Sequence, residues 1–260
     1  SGRALAFDGV VDTLTFASTG NLEEFTTAQW IYITDFTDIN QFFEGQNAGL
    51  YQSANTDKTV RWHVGIPENW LASSSTLTQD TWHRIIFTFK KNGSAGDYNV
   101  YIDGKQAGGD FPATNVGANT AGMMDAFGSI NQSERWLNGR ASDLQIWDKQ
   151  WTLTDVQNDY RHPEMLAHTF SGTSLTESNL LRWYPLTEGN PESPQTTIFD
   201  GSPKVLGSEL LANPNFDTDS DWAKVGGAVI ENGYGFVDNS PASSLSQTSV
   251  IISGKRSESV

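Results

Sequence analysis

Carboxylates, histidines and tryptophans are the side chains here whose types and spacing could do chemistry. Cleaving a glycosidic bond takes two carboxylates that face one sugar linkage. Glu23 and Glu24 are adjacent, so on a strand they point to opposite faces. Glu44, Glu68 and Glu134 stand alone in segments read as loops. The four histidines, His63, His83, His162 and His168, show neither Ser-His-Asp nor metal-ligand spacing. His83 sits inside an apolar run and reads as a structural histidine. There is no cysteine, so thiol nucleophiles, thiolate zinc sites and disulfides are excluded. These residues predict no catalysis.

Binding is a better match to the aromatic content. A sugar is held by aromatic faces against its C–H surfaces and by amide or charged groups on its hydroxyls. Trp62, Trp70 and Trp136 flank loops and neighbour His63, Asn69 and Arg135. These six residues are the candidate glycan contacts. The competing reading of each tryptophan is core packing, the usual place of tryptophan in a β-sandwich. Trp30, Trp82 and Trp147 are assigned to the core.

The elements that must position these groups are strands. Trp82–Lys105 (WHRIIFTFKKNGSAGDYNVYIDGK) reads as a β-hairpin. Trp82, Arg84, Ile86 and Thr88 fall on one face, and His83, Ile85, Phe87 and Phe89 on the other. A turn is expected over Lys90–Asp97, and a second at Asp103-Gly104. A hairpin is not stable alone in water, so other strands must cover it. Candidates are Ala4–Phe7, Asp12–Phe16, Phe25–Phe36, a pair within Gln41–Tyr51, Thr59–Ile66, a short strand from Trp70, and Trp136–Trp147. Met124–Ile130 is a weak strand within a Gly- and Ala-rich connection. One helix is expected: Thr152-Leu-Thr-Asp155 is a capping-box variant, and His162-Pro163 stops it.

Net charge is −15 over 260 residues, with 16 basic and 31 acidic side chains. No basic stripe exists to neutralise phosphates, which excludes nucleic acid and anionic membrane surfaces. No apolar run reaches the roughly 18 residues of a membrane span, so no membrane insertion is expected. The acidic surface also suits plain solubility, neutral glycans or cations. The sequence opens at Ser1 and not at methionine, which fits a processed chain or a fragment of a longer one.

Four phrases in order resemble the laminin G-like group of concanavalin A-like jelly rolls: ALAFDGVVDTLTF (4–16), FTTAQWIYI (25–33), the hairpin at 82–105, and LNGRASDLQIWDKQWTLTDVQNDY (137–160). The resemblance implies an all-β jelly-roll sandwich with one short helix over residues 1–165. The glycanase members of this fold place two Glu around an Asp on one strand, and this chain has no such cluster. The resemblance brings the first strand beside Arg140–Trp147, so Asp8, Asp12 and Asp143 form a candidate Ca2+ site. The bland alternative is a capped turn and a solvated strand residue. DTDSD (217–221) lacks the glycine and distal Glu of an EF-hand.

LLRWYPL (180–186) either completes the sandwich as a permuted strand, which is preferred, or opens a second module. Residues 166–207 are then a linker plus closing strand. Residues 208–260 resemble part of a galactose-binding-like carbohydrate-binding jelly roll, carried by LLANPNFDTDSDW, ENGYGFV and SLSQTSVI. The combination is similar to bacteriophage particle surface proteins. It implies a non-enzymatic, extracellular or virion-surface lectin module that binds a glycan or cell-surface polysaccharide. The implied partners are other virion or surface subunits and further copies of itself through the C-terminal segment. The alternatives are a purely structural assembly protein and, last, a glycoside hydrolase on the same fold.

Overall fold

The alternation along the long strands places apolar side chains on both faces, which requires cover on both sides. A computed structural model of the chain shows where that cover comes from. It describes residues 4–45, 50–64, 71–93, 95–109, 124–130, 133–186, 198 and 200–202, with four short strands beyond them. The chain divides into two compact units, residues 1–203 and 204–260.

The first unit contains β1 (Leu5–Asp8), β2 (Leu14–Thr15), β3 (Glu24–Ile33), β4 (Asn40–Gly45) and β5 (Leu50–Ala54). There follow β6 (Thr59–Val64), β7 (Leu71–Thr76), β8 (Trp82–Asn92), β9 (Ala95–Ile102) and β10 (Lys105–Gly109). Then come β11 (Ala126–Phe127), β12 (Asn138–Trp147), α1 (Leu153–Arg161) and β13 (Leu180–Tyr184). One antiparallel sheet has the order β1-β12-β3-β8-β9-β10, with β13 also on β12. The facing sheet has the order β2-β11-β4-β5-β6-β7. The two form the expected jelly-roll sandwich with one short helix.

The hairpin expected over 82–105 is β8 and β9. Its strands run longer than the turn residues suggest. Lys90 pairs with Asp97 and Asn92 with Ala95, so the ladder runs well into the segment expected to be turn. Ile85, Phe87 and Phe89 enter the core between the sheets, with Phe25, Ile31, Val60 and Trp62. The other face of β8 meets a second core. Ile86 joins Ala28, Trp147, Trp151, Val156 and Leu180 beneath α1 and the segment that follows it. The helix begins as expected: Thr152 Oγ1 accepts from Asp155 N at 3.2 Å and Thr152 N donates to Asp155 Oδ2 at 2.9 Å. Such a cap contributes about 1 kcal/mol.

Trp82 departs from the core assignment. It is 37% exposed and rests against Tyr32 at 5.6 Å. It shares its face with Ile86, as the alternation groups them, but α1 covers that face around Trp30 and Ile86 and not its edge. Trp30 is half-buried there, stacked on Tyr160 of the helix. Trp147 is fully buried.

Arg84 and Asp159 anchor α1 to the sheet, each 1% exposed. Arg84 Nε and Nη2 donate to the two carboxylate oxygens of Asp159, both at 2.8 Å. Arg84 Nη1 reaches Asp143 Oδ2 at 2.9 Å and the Asp143 carbonyl at 3.1 Å. Burial works against the Arg84 charge, but Asp159 and Asp143 outweigh it and hold the guanidinium protonated. Asp143 itself sits at φ +49 in a β-bulge: Ser142 pairs with Trp30 and Gln145 with Ala28, so β12 carries one extra residue. β1 pairs with β12 before this bulge (Leu5 with Ala141), and β13 pairs after it (Leu144 with Tyr184).

In the second unit β14 (Ala223–Val225) pairs with β17 (Ser244–Ser246), and β15 (Val229–Glu231) with β16 (Tyr234–Phe236). DTDSD at 217–221 lies outside the described residues. Among the described residues, no helix is long and apolar enough to cross a membrane.

Candidate functional site

Antiparallel register assembles a polar cluster on the outer face of the six-stranded sheet. Leu50, Ala54, Val60, Trp62 and Val64 point into the core. Tyr51 and Ser53 on β5, and Arg61 and His63 on β6, alternate with them and point outward. Glu44 pairs with Tyr51, and Tyr51 with His63, giving one cross-strand row. Gln41, Ser53 and Arg61 form the next row. Ordinarily an outward row is wet. Here Tyr51 is 3% exposed, His63 8% and Glu44 5%.

The Tyr51 and His63 rings stack at 5.5 Å, nearly parallel at 8°. Arg135 comes from the chain that leads into β12. It takes a positive φ of 55°, and its carbonyl accepts from Gln41 N at 3.1 Å. Its Nη1 donates to Tyr51 Oη at 2.8 Å, and its guanidinium lies 5.3 Å from the Tyr51 ring centre. Burial raises the Tyr51 phenol above its usual range; Ser53 and Arg135 oppose that shift, and the Glu44 charge adds to it. Tyr51 thus stays a neutral phenol. Glu44 is the only buried carboxylate of this sheet among the described residues. Gln41 Oε1 is buried without a hydrogen-bond partner among the described residues. Arg61 is occupied by Asp57 at 2.7 Å. The arrangement offers a half-buried guanidinium on an aromatic shelf, with a carboxylate and an amide behind it. That is a set for fixing hydroxyl or carboxylate groups.

The predicted glycan residues divide. His63 and Arg135 are brought together, through Tyr51. Trp136, next to Arg135, is half-buried. Trp62 takes its core alternative: it is 2% exposed and packs edge-on against Phe87 at 6.0 Å. Asn69 and Trp70 lie outside the described residues. Tyr51 was not singled out from the sequence, and Glu44 was set aside as an isolated loop carboxylate; it lies instead on β4, paired with Tyr51.

The three aspartates of the candidate Ca2+ site do not converge. Asp8 Oδ1 accepts from the amides of Val10, Val11 and Asp12, and Asp12 Oδ2 accepts from Asp8 N at 2.9 Å. These bonds, that from Val11 first, lower the Asp8 carboxyl below its usual value. This is the capped turn of the bland alternative. Asp8 pairs with Asn138, five residues before Asp143, or roughly 15 Å along β12. The Asp143 carboxylate is already held by Arg84, Gln145 Nε2 (2.8 Å) and Trp183 Nε1 (2.7 Å). The three do not fit one ion, and among the described residues no group of three acidic or histidine side chains is placed to hold a metal.

His83 is the structural histidine expected. Its Nε2 accepts from Thr78 N at 2.9 Å, which leaves Nδ1 to donate to Asp103 Oδ2 at 2.8 Å.

Comparison with known proteins agrees with this architecture. A laminin G-like family model, described as the concanavalin A-like lectin/glucanases superfamily, matches residues 8–157. No curated protein matches the chain by sequence. Among solved structures, a protein of Bacteroides ovatus described as carbohydrate-binding superposes with a TM-score of 0.55 and 14% identity. That match covers 77% of this chain and 55% of the other, so this chain spans about half of that protein's length. A SAP-like pentraxin of Limulus polyphemus matches with a TM-score of 0.48 and 16% identity, over 60% of this chain and 80% of the pentraxin. A sialidase of Trypanosoma rangeli matches with a TM-score of 0.48 and 12% identity, over 63% of this chain and 28% of the sialidase. At 14% identity the likeness to the Bacteroides protein is one of fold. With the family match spanning more than half of its length and the two-sheet sandwich in place, the chain belongs to the laminin G-like group of the concanavalin A-like lectin/glucanase superfamily.

Proposed function

We propose that the chain is a glycan-binding module that acts without hydrolysis, and that its ligand meets the outer face of the six-stranded sheet at Arg135 and Trp136. The observation that carries this reading is the buried Glu44–Tyr51–His63 row under a half-buried Arg135. Burying a carboxylate, a phenol and an imidazole on the outside of a sandwich is costly, and a core has no use for them there. They orient Arg135, whose fork donates to sugar hydroxyls, while the neighbouring Trp136 supplies an aromatic face. Hydrolysis would take a second carboxylate opposite the first, and Glu44 stands as the buried one of this face. The acidic, cysteine-free composition suits an extracellular or particle-surface setting. Assembly with further copies or other surface subunits through residues 208–260 is the accompanying proposal. Analytical ultracentrifugation of the full chain reads it.

The test of binding is a glycan array with the full chain, followed by titration of the best glycan against wild type and Arg135→Ala. The reading expects one glycan class to bind and the variant to lose at least about tenfold in affinity, the scale of one charge-assisted hydrogen-bond set. Silence across the array, or equal affinity in the variant, overturns it.

A further inference from the structure

The flank of the seven-stranded sheet carries a second hollow that the glycan reading does not use. After α1 the chain turns back through Glu164, Met165 and Leu166, and a short 3-10 turn spans Ala167–Thr169. A second one, Glu177–Asn179, leads into β13. Between these pieces and Trp183 of β13 lies a cavity of about 430 Å3. The hollow is broadly open to solvent, so a ligand would lie against its walls and not be enclosed by them. Its walls include Glu164, Met165, Leu166, His168, Glu177 and Trp183.

Two features define its chemistry. Trp183 is half-buried and its ring is fixed: Nε1 donates to Asp143 at 2.7 Å, and a Cβ at Gly201 would press within 3.1 Å of Cε3. The ring is thus a preset surface, held by the same aspartate that holds Arg84. Glu164 and Glu177 stand at the rim, and among the described residues no lysine or arginine lines the hollow. The nearest basic group to Glu164 in the ion-pair geometry is His162 Nδ1, at 3.5 Å. An aromatic face, a thioether and two carboxylates form a negative, partly apolar cup among the described residues. Such a cup attracts a cation that carries carbon with it.

We propose that this cavity binds an organic ammonium group, primary as on an amino sugar or quaternary as on choline. The ammonium sits over the indole, and Glu164 and Glu177 neutralise it from the rim. The site lies on the opposite sheet from the Glu44–Tyr51–His63 row, so the two proposals are read by different variants.

The experiment is titration of the full chain at low salt, followed by tryptophan fluorescence and calorimetry. One arm uses choline against its neutral isostere 3,3-dimethyl-1-butanol, and the other uses glucosamine against N-acetylglucosamine. The proposal expects saturable binding of at least one cation, with its neutral partner weaker by at least about tenfold. Which arm responds identifies the source of the ammonium. Glu164→Gln with Glu177→Gln, both at exposed positions, should weaken binding at least about fivefold and leave the unfolding temperature unchanged. Trp183→Leu should abolish it; if that variant does not fold, the glutamine pair decides. Equal binding of cation and neutral analogue, no saturation by either cation, or an unaffected glutamine pair overturns the proposal.

Discussion

Removing the Asp159 carboxylate tests the account of how α1 is held. In Asp159→Ala the Arg84 guanidinium stays 99% enclosed and loses two charge-assisted bonds of 2.8 Å. Asp143 still touches Nη1, so the charge is not wholly orphaned. Breaking one side of a buried ion pair costs about 3–5 kcal/mol, and the remaining Asp143 contact favours the lower end. For a unit of this size each kcal/mol moves Tm by about 2–4 °C, so the variant should melt roughly 6–12 °C lower. Near-UV circular dichroism of the full chain would follow the transition, because Trp30 and Tyr160 stack beside the pair. The double variant Arg84→Met/Asp159→Leu removes both charges and should recover much of the loss, since desolvation no longer opposes burial. A single-variant loss under about 1 kcal/mol, or a double variant no more stable than the single, would refute the reasoning.

Other outcomes follow from the same structure. Gly139→Ala should prevent folding, because a Cβ there would clash with the Tyr32 carbonyl oxygen of the paired strand; soluble yield and circular dichroism read this. Thr152→Ala should cost about 1 kcal/mol in urea unfolding through loss of the helix cap. Tyr51→Phe keeps the ring stack and removes the oxygen that Arg135 grips, so glycan affinity should fall while Tm changes by only a few degrees. Asp57 gives a pH signature. Its carboxyl is lowered from 3.8 to about 2, first by the Thr59 hydroxyl, against burial, with help from the Thr59 amide and Arg61. A lowered folded-state value stabilises above the unfolded value and is lost as pH falls toward 2. The stability gap between wild type and Asp57→Asn should therefore be full at pH 6 and vanish near pH 2. It should stay below about 1 kcal/mol because the side chain is about half exposed.

Much of the fold was legible because strand alternation is a local signal. The faces of β8 follow from its own residues, and so does the capping box of α1. The position of Trp82 was not, since alternation assigns a face but says nothing of how far a helix reaches across it. The Asp143 bulge was hidden for a related reason: Ala141 and Leu144 both face the core, so the period breaks by one residue. The Glu44–Tyr51–His63 row needed register. Reflecting Tyr51 about the turn at Asp57 gives His63, and reflecting it about the turn before Leu50 gives Glu44. The signal was present in the two turns, and no single strand contained it. Trp62 takes the core alternative stated for it, while its neighbours His63 and Arg61 point the other way.

The bulge in β12 has a consequence for how such a unit can be mounted. β13 runs along β12 from Trp147 to Leu144, and β1 continues from Ala141 to Asn138 in the same direction. Tyr184 and Leu5 are thus the facing ends of one interrupted ribbon. The gap spans Ser142 and Asp143, whose amide takes the Pro185 carbonyl at 3.2 Å. The strands that open and close the sandwich are separated by only about 10 Å. A body with both attachment points side by side can be spliced into a surface loop of a host protein without prying that host apart. It can equally hang as a pendant from a single point on a large scaffold.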